Sequence, residues 1–379
     1  MKVVVAVDSF KGSMTSMEAG RAVERGIARA CEAQVVVRPL ADGGEGTTEA
    51  LVEGLGGAFR CVEVEGPMGL PVRARYGILR DGRTAVMEMA EASGITLVPR
   101  DALDPHRAAT VGTGQMVLDA VRAGCREFIL GIGGSATTEC GIGMLTALGY
   151  GFYDANGDRL PPVFDSLGKI EEIRAGDVPD VLHECRFQIA CDVNNPLSGP
   201  RGAVSVFGPQ KGVKPEETEA MDRAMARFAK KAAAFTGRDR AETPGAGAAG
   251  GLGFALMTFL ENVTLRPGTD IVFEAIGLES AVKDADVVVT GEGRMDGQTA
   301  MGKVPVGVAR LAKRYGCKVV AFAGGVTEDA VKCNDAGIDA FFPIVRGVTT
   351  LDEAMEKETA MRNMELAAEQ TFRLLRAMA

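Results

Sequence analysis

Two rhythms of apolar and polar residues divide this chain. Positions 2–7 and 34–40 are short, continuous, β-branched apolar runs, the pattern of strands covered on both faces, and between them Met17, Val23 and Ile27 recur at helical spacing. Thr15 and Glu18 stand at capping-box spacing ahead of that helix. Strand, helix and strand in this order predict a βαβ unit whose parallel strands end side by side. A helix over 47–55 and a strand over 60–65 follow. The rhythm then changes: Gly66-Pro67-Met68-Gly69-Leu70-Pro71 reads as a turn segment, and Asp81-Gly82 joins two alternating runs as a hairpin. Helices over 113–123 and 215–235 and strands over 127–130 and 186–190 are expected in the middle of the chain. Alternation of strand and helix resumes near Val287, with strands over 286–290, 318–322 and 340–344 and a last helix over 351–378.

These elements predict an α/β fold of two α/β domains around a cleft that holds the site. A Rossmann-like parallel-sheet domain comes from both chain ends, residues 1–65 and 285–379, and a mixed α/β domain, residues 66–284, is inserted in it. At 379 residues the chain exceeds what one ordinary core fills, which agrees with two domains. A formal net charge of −9 argues against nucleic acid or a membrane surface as partner, because both are polyanionic. No apolar run reaches the ~18 residues that span a bilayer. The start runs straight into a strand, without the layout of a signal peptide, so a cytoplasmic protein is expected. The 8 cysteines are scattered without a C-x-x-C pair, as reduced thiols would be. With only His106 and His183, both expected in surface or structural roles, zinc binding and histidine base chemistry are poorly supplied. Glycine is concentrated in short loops, a pattern suited to phosphate or nucleotide handling.

Chemistry-bearing residues gather in those loops. Asp8-Ser9-Phe10-Lys11-Gly12 and Ala41-Asp42-Gly43-Gly44-Glu45-Gly46-Thr47 each leave a predicted strand end. Parallel pairing then brings Asp8, Ser9, Lys11, Asp42 and Glu45 to one edge, the place where open α/β sheets bind ligands. Gly131-Ile132-Gly133-Gly134-Ser135-Ala136 fits the G-x-G-x-x-A form of the dinucleotide fingerprint before a predicted helix, with Asp154 placed as a ribose-binding acid. Phosphate binding, dinucleotide binding and plain turn glycines all stay open for it. Gly297-Gln298-Thr299-Ala300-Met301-Gly302-Lys303-Val304 nearly matches a P-loop. Val304, however, replaces the Ser or Thr that should hold magnesium, and the first glycine lies well past the predicted strand end at Thr290. Lys303 reads as a surface lysine or a phosphate contact.

The loop Thr290-Gly291-Glu292-Gly293-Arg294-Met295-Asp296-Gly297 carries two carboxylates able to hold magnesium. Its Arg294 forks toward a carboxylate or phosphate; the other reading is a solvated turn with a local ion pair. Asp192, in Ala190-Cys191-Asp192-Val193-Asn194-Asn195, follows a strand end as candidate general base or magnesium ligand, with an Asx-turn as the alternative. Gly245-Ala246-Gly247-Ala248-Ala249-Gly250-Gly251 lacks a preceding strand and reads as a flexible loop with close backbone approach, a hinge or a nucleotide cover.

Taken in order, these blocks resemble the bacterial glycerate kinase family over essentially the whole chain. Phe207-Gly208-Pro209-Gln210-Lys211-Gly212 and Gly250-Gly251-Leu252-Gly253 add to the match. The resemblance implies ATP-dependent phosphorylation of D-glycerate with Mg2+, 2-phosphoglycerate being favoured over 3-phosphoglycerate. It further implies that Lys11 and Arg294 hold the glycerate carboxylate or the transferring phosphate. Asp8, Ser9, Asp42, Gly43, Gly44 and Glu45 would bind substrate, and Gly133, Gly134, Ser135 and Thr137 would cradle nucleotide phosphates. Asp192 and Lys11 are the implied catalytic residues, and Asp192, Glu292 and Asp296 the implied magnesium ligands. The family usually reads Asn-Asp-Gly-Gly after Ser135-Ala136-Thr137, whereas Thr138-Glu139-Cys140-Gly141 stands here, with Glu139 as a substitute acid. ATP and D-glycerate are then the expected partners of a monomer or homodimer. Two rival readings are an NAD-dependent oxidoreductase of a small hydroxy acid, resting on the Gly131 loop and Asp154, and a noncatalytic small-acid-binding protein.

Overall fold

The computed structural model describes residues 1–378. They form two compact units. One comprises Met1–Asp42, Glu49–Gly56 and the stretch from Thr269 onward; the other comprises Gly43–Thr48 and Gly57–Gly268.

The first unit is built on five parallel strands in the spatial order Ala340–Pro343, Lys318–Val326, Val287–Met295, Lys2–Val5, Gln34–Val37. Continuous apolar runs are required here because both faces are covered. Val3, Val5, Val287, Val289, Val320 and Phe322 pack under the helices Ser16–Ala30 and Lys357–Ala377, and the helix Val304–Lys313 packs on the strands Val287–Met295 and Lys318–Val326. The capping box forms: Glu18 N donates to Thr15 Oγ1 at 3.2 Å and Thr15 N to Glu18 Oε2 at 3.0 Å. From Lys2–Val5 the chain steps to one neighbour, Gln34–Val37, and much later returns on the other side as Val287–Met295. The order therefore reverses at the first strand, which makes its carboxyl end a topological switch point. Buried Ser16 ties this edge together, its Oγ donating to Val7 O at 2.6 Å and accepting from Leu40 N at 2.6 Å.

The second unit carries a six-stranded mixed sheet in the order Asn262–Arg266, Arg186–Ala190, Glu127–Gly131, Thr84–Glu88, Pro71–Leu79, Gly57–Glu65. The first four are parallel, and Pro71–Leu79 pairs antiparallel with both Thr84–Glu88 and Gly57–Glu65. Phe128 and Phe187 stack at 4.6 Å between ring centres, inside a core that runs from Val64 to Leu260. The expected α/β class holds in both units.

Four expectations change in detail. Residues 57–65 pair antiparallel with 71–79 across the turn at Gly66, where Gly66 N bonds Leu70 O at 2.7 Å, so this strand belongs to the second sheet and the boundary placed near residue 66 moves. The strand expected over 286–290 continues to Met295, because Gly291 and Gly324 allow tight backbone pairing. A Cβ on Gly291 would lie 2.1 Å from Phe322 O, and one on Gly324 2.6 Å from Gly293 O. The last helix is two, Leu351–Met355 and Lys357–Ala377, broken at Glu356, whose carboxylate caps the second by accepting from Thr359 N at 2.7 Å. After Gly131 the next helix begins only at Ile142. Among the described residues no helix is long and apolar enough to cross a membrane.

Gly26 tests the helix pair that covers the first sheet. A Cβ there would stand 2.3 Å from Glu365 O and 2.8 Å from Ala368 Cβ. Although alanine favours helix by up to about 1 kcal/mol, Gly26→Ala should destabilise the protein by about 1–3 kcal/mol through overpacking. Thermal unfolding followed by circular dichroism checks this; an unchanged or raised midpoint contradicts it.

Candidate active site

Asp8 is placed at the switch point by its own backbone, its N–H donating to Gly291 O at 2.9 Å. The next residues fold into a tight turn. Phe10 N bonds Met14 O at 2.9 Å, Ser13 N bonds Phe10 O at 2.8 Å, and Gly12 takes φ +78°. Buried Phe10 and Met14 anchor that turn, which leaves Lys11 exposed at its tip with Nζ 3.8 Å from Asp42 Oδ2. On the neighbouring strand Glu292 is buried and accepts from Thr299 Oγ1 at 2.5 Å. Thr299 is also bound to Asp296, whose N–H donates to Thr299 Oγ1 at 3.1 Å while its Oδ1 accepts from Gln298 N at 2.9 Å and Thr299 N at 3.3 Å. Lys303 Nζ and Arg294 Nε stand 3.7 and 3.8 Å from the Asp296 carboxylate.

Charge is expensive at this edge. Burial first, and then the carboxylate of Asp42, push Asp8 up to about 7 against the pull of the Ser9 amide and Lys11; Glu292 adds to the rise. Glu292 is itself raised by burial, with the Thr299 hydroxyl and Lys303 opposing. The result is a set of oxygen acceptors for hydroxyl donors, edged by the cations Lys11, Arg294 and Lys303. A small hydroxy acid suits both parts.

The second unit presents another carboxyl edge, formed where the parallel strands end at Glu88, Gly131, Ala190 and Arg266. The segment Gly43–Thr48 crosses it at backbone contact. Gly43 has φ +91°, and a Cβ there would lie 2.4 Å from Gly268 Cα and 3.0 Å from Ala190 Cβ. Thr48 N donates to Glu88 Oε1 at 2.9 Å, on a buried carboxyl that burial raises above its ordinary range. Beside it the loop after Gly131 exposes Gly133 and Gly134 and is pinned by Ile95 N to Gly134 O at 2.8 Å and Ala136 N to Ser93 O at 3.0 Å. Buried Lys211 reaches the same loop, Nζ lying 2.6 Å from Ser135 Oγ and 2.6 Å from Thr137 O. Asp192 follows its strand and accepts from Gly268 N at 3.0 Å, tying two strand ends.

Thus Asp8, Ser9, Lys11, Asp42, Glu292, Arg294 and Asp296 collect at the first edge, and Gly43, Gly44, Glu45, Gly133, Gly134, Ser135, Thr137 and Asp192 at or next to the second. Several expectations are corrected. Among the described residues no three His, Cys, Asp or Glu side chains gather as a metal-holding group; within the first unit Thr299 links Glu292 and Asp296. The Gly131 loop runs ten residues before its helix, with Cys140 and Gly141 in left-handed backbone just ahead of Ile142, so the strand–turn–helix context of a dinucleotide fingerprint is missing. Asp154 accepts from Asn156 N at 2.9 Å and Asp158 N at 3.0 Å and serves a turn.

Glu139 is not a reachable acid. It is wholly buried and accepts from Thr110 N at 2.8 Å, from Gly141 N and Gly143 N at 3.2 Å each, and from the Thr110 hydroxyl. The glycine run near 245–251 is packed: a Cβ on Gly250 would lie 2.0 Å from Thr137 O. His106 and His183 pair with Asp165 at 2.7 Å and Glu261 at 3.3 Å. Sequence reasoning missed Ser16, Glu88, Thr299 and Lys211 as organisers. Only Lys211 had a signal, a lone lysine in the Phe207–Gly212 block.

Residues 3–376 match the pattern described as the glycerate kinase family. A glycerate kinase of Bacillus subtilis (strain 168) is 45% identical over 357 residues, covering 94% of this chain and 93% of its own. A protein named glycerate 2-kinase from Escherichia coli (strain K12) is 43% identical over 355 residues, covering 93% of each. A crystal structure of a protein named as a glycerate kinase 2 from Salmonella typhimurium LT2 superposes with a TM-score of 0.92 at 42% identity, covering 100% of this chain and 98% of that one.

Burial of Asp8 has a measurable cost. Its carboxyl titrates near 7 when folded and near the ordinary 3.8 when unfolded, so the unfolded chain releases this proton first and stability falls as pH rises between those values. Asp8→Asn should therefore unfold at higher temperature than the parent at pH 8, by up to about 4 kcal/mol, with the advantage gone below about pH 4. A gap independent of pH in thermal melts would contradict this.

Proposed function

Because this chain belongs to the glycerate kinase family, and is so a kinase of glycerate, we propose that it transfers the γ-phosphoryl group of ATP, with Mg2+, to the C2 hydroxyl of D-glycerate. The observation that carries the reading is the switch-point edge, where acceptors at Asp8, Asp42 and Glu292 adjoin the cation of Lys11. A three-carbon hydroxy acid brings hydroxyl donors and one carboxylate to match. The name glycerate 2-kinase borne by the Escherichia coli relative supports C2 over C3.

Phosphoryl transfer asks the protein for alignment and for positive charge, with little covalent work. Lys11 and Arg294, both exposed, meet the glycerate carboxylate or the transferring phosphoryl oxygens. Asp8, Ser9, Asp42 and Glu45 receive or position the glycerate hydroxyls, and the glycines 43 and 44 let backbone come close. Gly133 and Gly134 take the nucleotide phosphates on exposed backbone, beside the Ser135 hydroxyl, with buried Thr137 completing the loop behind them. Asp192 orients the accepting hydroxyl and takes its proton, as a carboxylate within reach of the oxygen would. Oxygen donors at Glu292 and Asp296, joined through Thr299, fit Mg2+, which takes few carboxylates and keeps water and phosphate as its other ligands. When bound, that ion neutralises charge on the β- and γ-phosphates. The oxidoreductase reading loses its support with the missing helix and the turn role of Asp154.

Coupled detection of ADP release with D-glycerate, L-glycerate and lactate tests the substrate, and NMR of the phosphorylated product distinguishes C2 from C3. ADP release indifferent to D-glycerate would sink the reading. Asp192→Asn should lower kcat by about 100-fold or more while leaving the glycerate KM within a few-fold, since a base acts in the transition state. Turnover near that of the parent removes Asp192 from the role.

A further inference from the structure

Lys211 is a wholly buried cation that the proposed chemistry does not use. It lies in the short helical turn Pro209–Lys211, which packs against the helix Ala203–Phe207, and its amine leaves that element to reach the loop after Gly131. Two of its three N–H groups are spent at 2.6 Å each on Ser135 Oγ and Thr137 O. An ammonium only donates, so the Ser135 oxygen must accept here, and its own hydrogen is directed to another partner. Ser135 adjoins Gly133 and Gly134, whose backbone is exposed.

We infer that Lys211 is a positioning residue for the nucleotide phosphates: it sets the Ser135 hydroxyl as a donor and pins the Thr137 carbonyl, so that the Gly133–Ser135 backbone is ready for an incoming anion. The inference rests on the assignment of this loop to ATP phosphates. Glu139, on the same loop, is the carboxylate that acts on Lys211, and the adjoining helix Ala203–Phe207 has no ionisable side chain. Burial outweighs Glu139 and pushes the amine down to about 7. A phosphate placed on the loop adds negative charge beside the amine and draws its proton back. Anion binding and proton uptake are thereby linked, with affinity greatest below about pH 7 and declining above it as the free protein loses the proton.

Buried Lys211 could instead be a lock of the fold, as Glu139 is, and the two roles differ in what they move. ATP binding by calorimetry between about pH 6 and pH 9, on the parent, Lys211→Met, Ser135→Ala and the double variant, separates them. In the parent, affinity should fall by up to tenfold per pH unit (~10-fold) above 7 relative to the Lys211→Met profile, a comparison that cancels the titration of ATP itself. Lys211→Met should bind ATP about 10- to 100-fold more weakly at pH 6. The double variant should be little worse than either single one, since both act through one hydroxyl. The D-glycerate KM should stay within about twofold of the parent.

Parallel pH profiles for parent and Lys211→Met, or equal weakening for ATP and glycerate, overturn the inference. A parent that does not bind ATP overturns the nucleotide assignment instead. Should Lys211→Met fail to fold by circular dichroism, Ser135→Ala decides: an ATP affinity equal to that of the parent throughout the range overturns the proposal, and a weakened one upholds it.

Discussion

Parallel strands covered by helices on both faces leave polar groups one place to stand, the edge where the strands end. Both units of this chain are organised by that constraint. In the first, Lys2–Val5 ends shortly before Asp8 and Gln34–Val37 shortly before Asp42, while Val287–Met295 runs on beyond them and carries Glu292. In the second, strands ending at Gly131, Ala190 and Arg266 release the Ser135 loop and Asp192. Along the covered parallel strands apolar side chains fill the faces and polar ones gather at this edge, whereas the antiparallel pair Gly57–Glu65 and Pro71–Leu79 also carries Arg60, Glu63 and Arg73 at exposed positions.

The two edges then diverge in sign. The first concentrates carboxylates, whose mutual repulsion and burial hold Asp8 near neutrality, and it admits cations only from exposed side chains such as Lys11. The second buries one amine, Lys211, against the Ser135 hydroxyl and the Thr137 carbonyl. An acceptor-rich edge favours hydroxyl donors, and a donor-rich edge favours anions. The proposed reading sets a hydroxy acid at the first edge and a polyphosphate at the second.

Much of this was legible in the sequence, and the exceptions share a cause. Unbroken valine runs and the Thr15–Glu18 box are local signals, and the strands and first helix formed where those signals lie. Glycines are ambiguous, because one residue type serves loops and close approaches alike. Gly291 and Gly293 read as a loop and turned out to lie in a strand, pressed against its neighbour. Residues 60–65 carried a strand pattern but no statement of which sheet they join, a matter settled by pairing across the Gly66 turn. Ser16 and Thr299 had no local signal for their roles, since Ser16 acts through Val7 and Leu40 and Thr299 through Glu292 and Asp296, hydrogen bonds that no pattern encodes.

Glu139 and Asp8 show how a buried acid is sorted between scaffold and chemistry. Both are removed from water, and burial raises both above the ordinary carboxylate range. Glu139 is answered by three backbone amides and a hydroxyl, so its lone pairs are committed and a ligand would have to displace structure to reach them. Asp8 has the Ser9 amide and, around it, Asp42 and Glu292. Its capacity to accept exceeds the donors supplied, and its neighbours repel its charge. A hydroxyl arriving there supplies the missing donor, and a cation arriving there relieves the repulsion. The Asp8 carboxyl is therefore less fully committed to the scaffold than that of Glu139, and the proposed assignment of substrate to its edge draws on that difference.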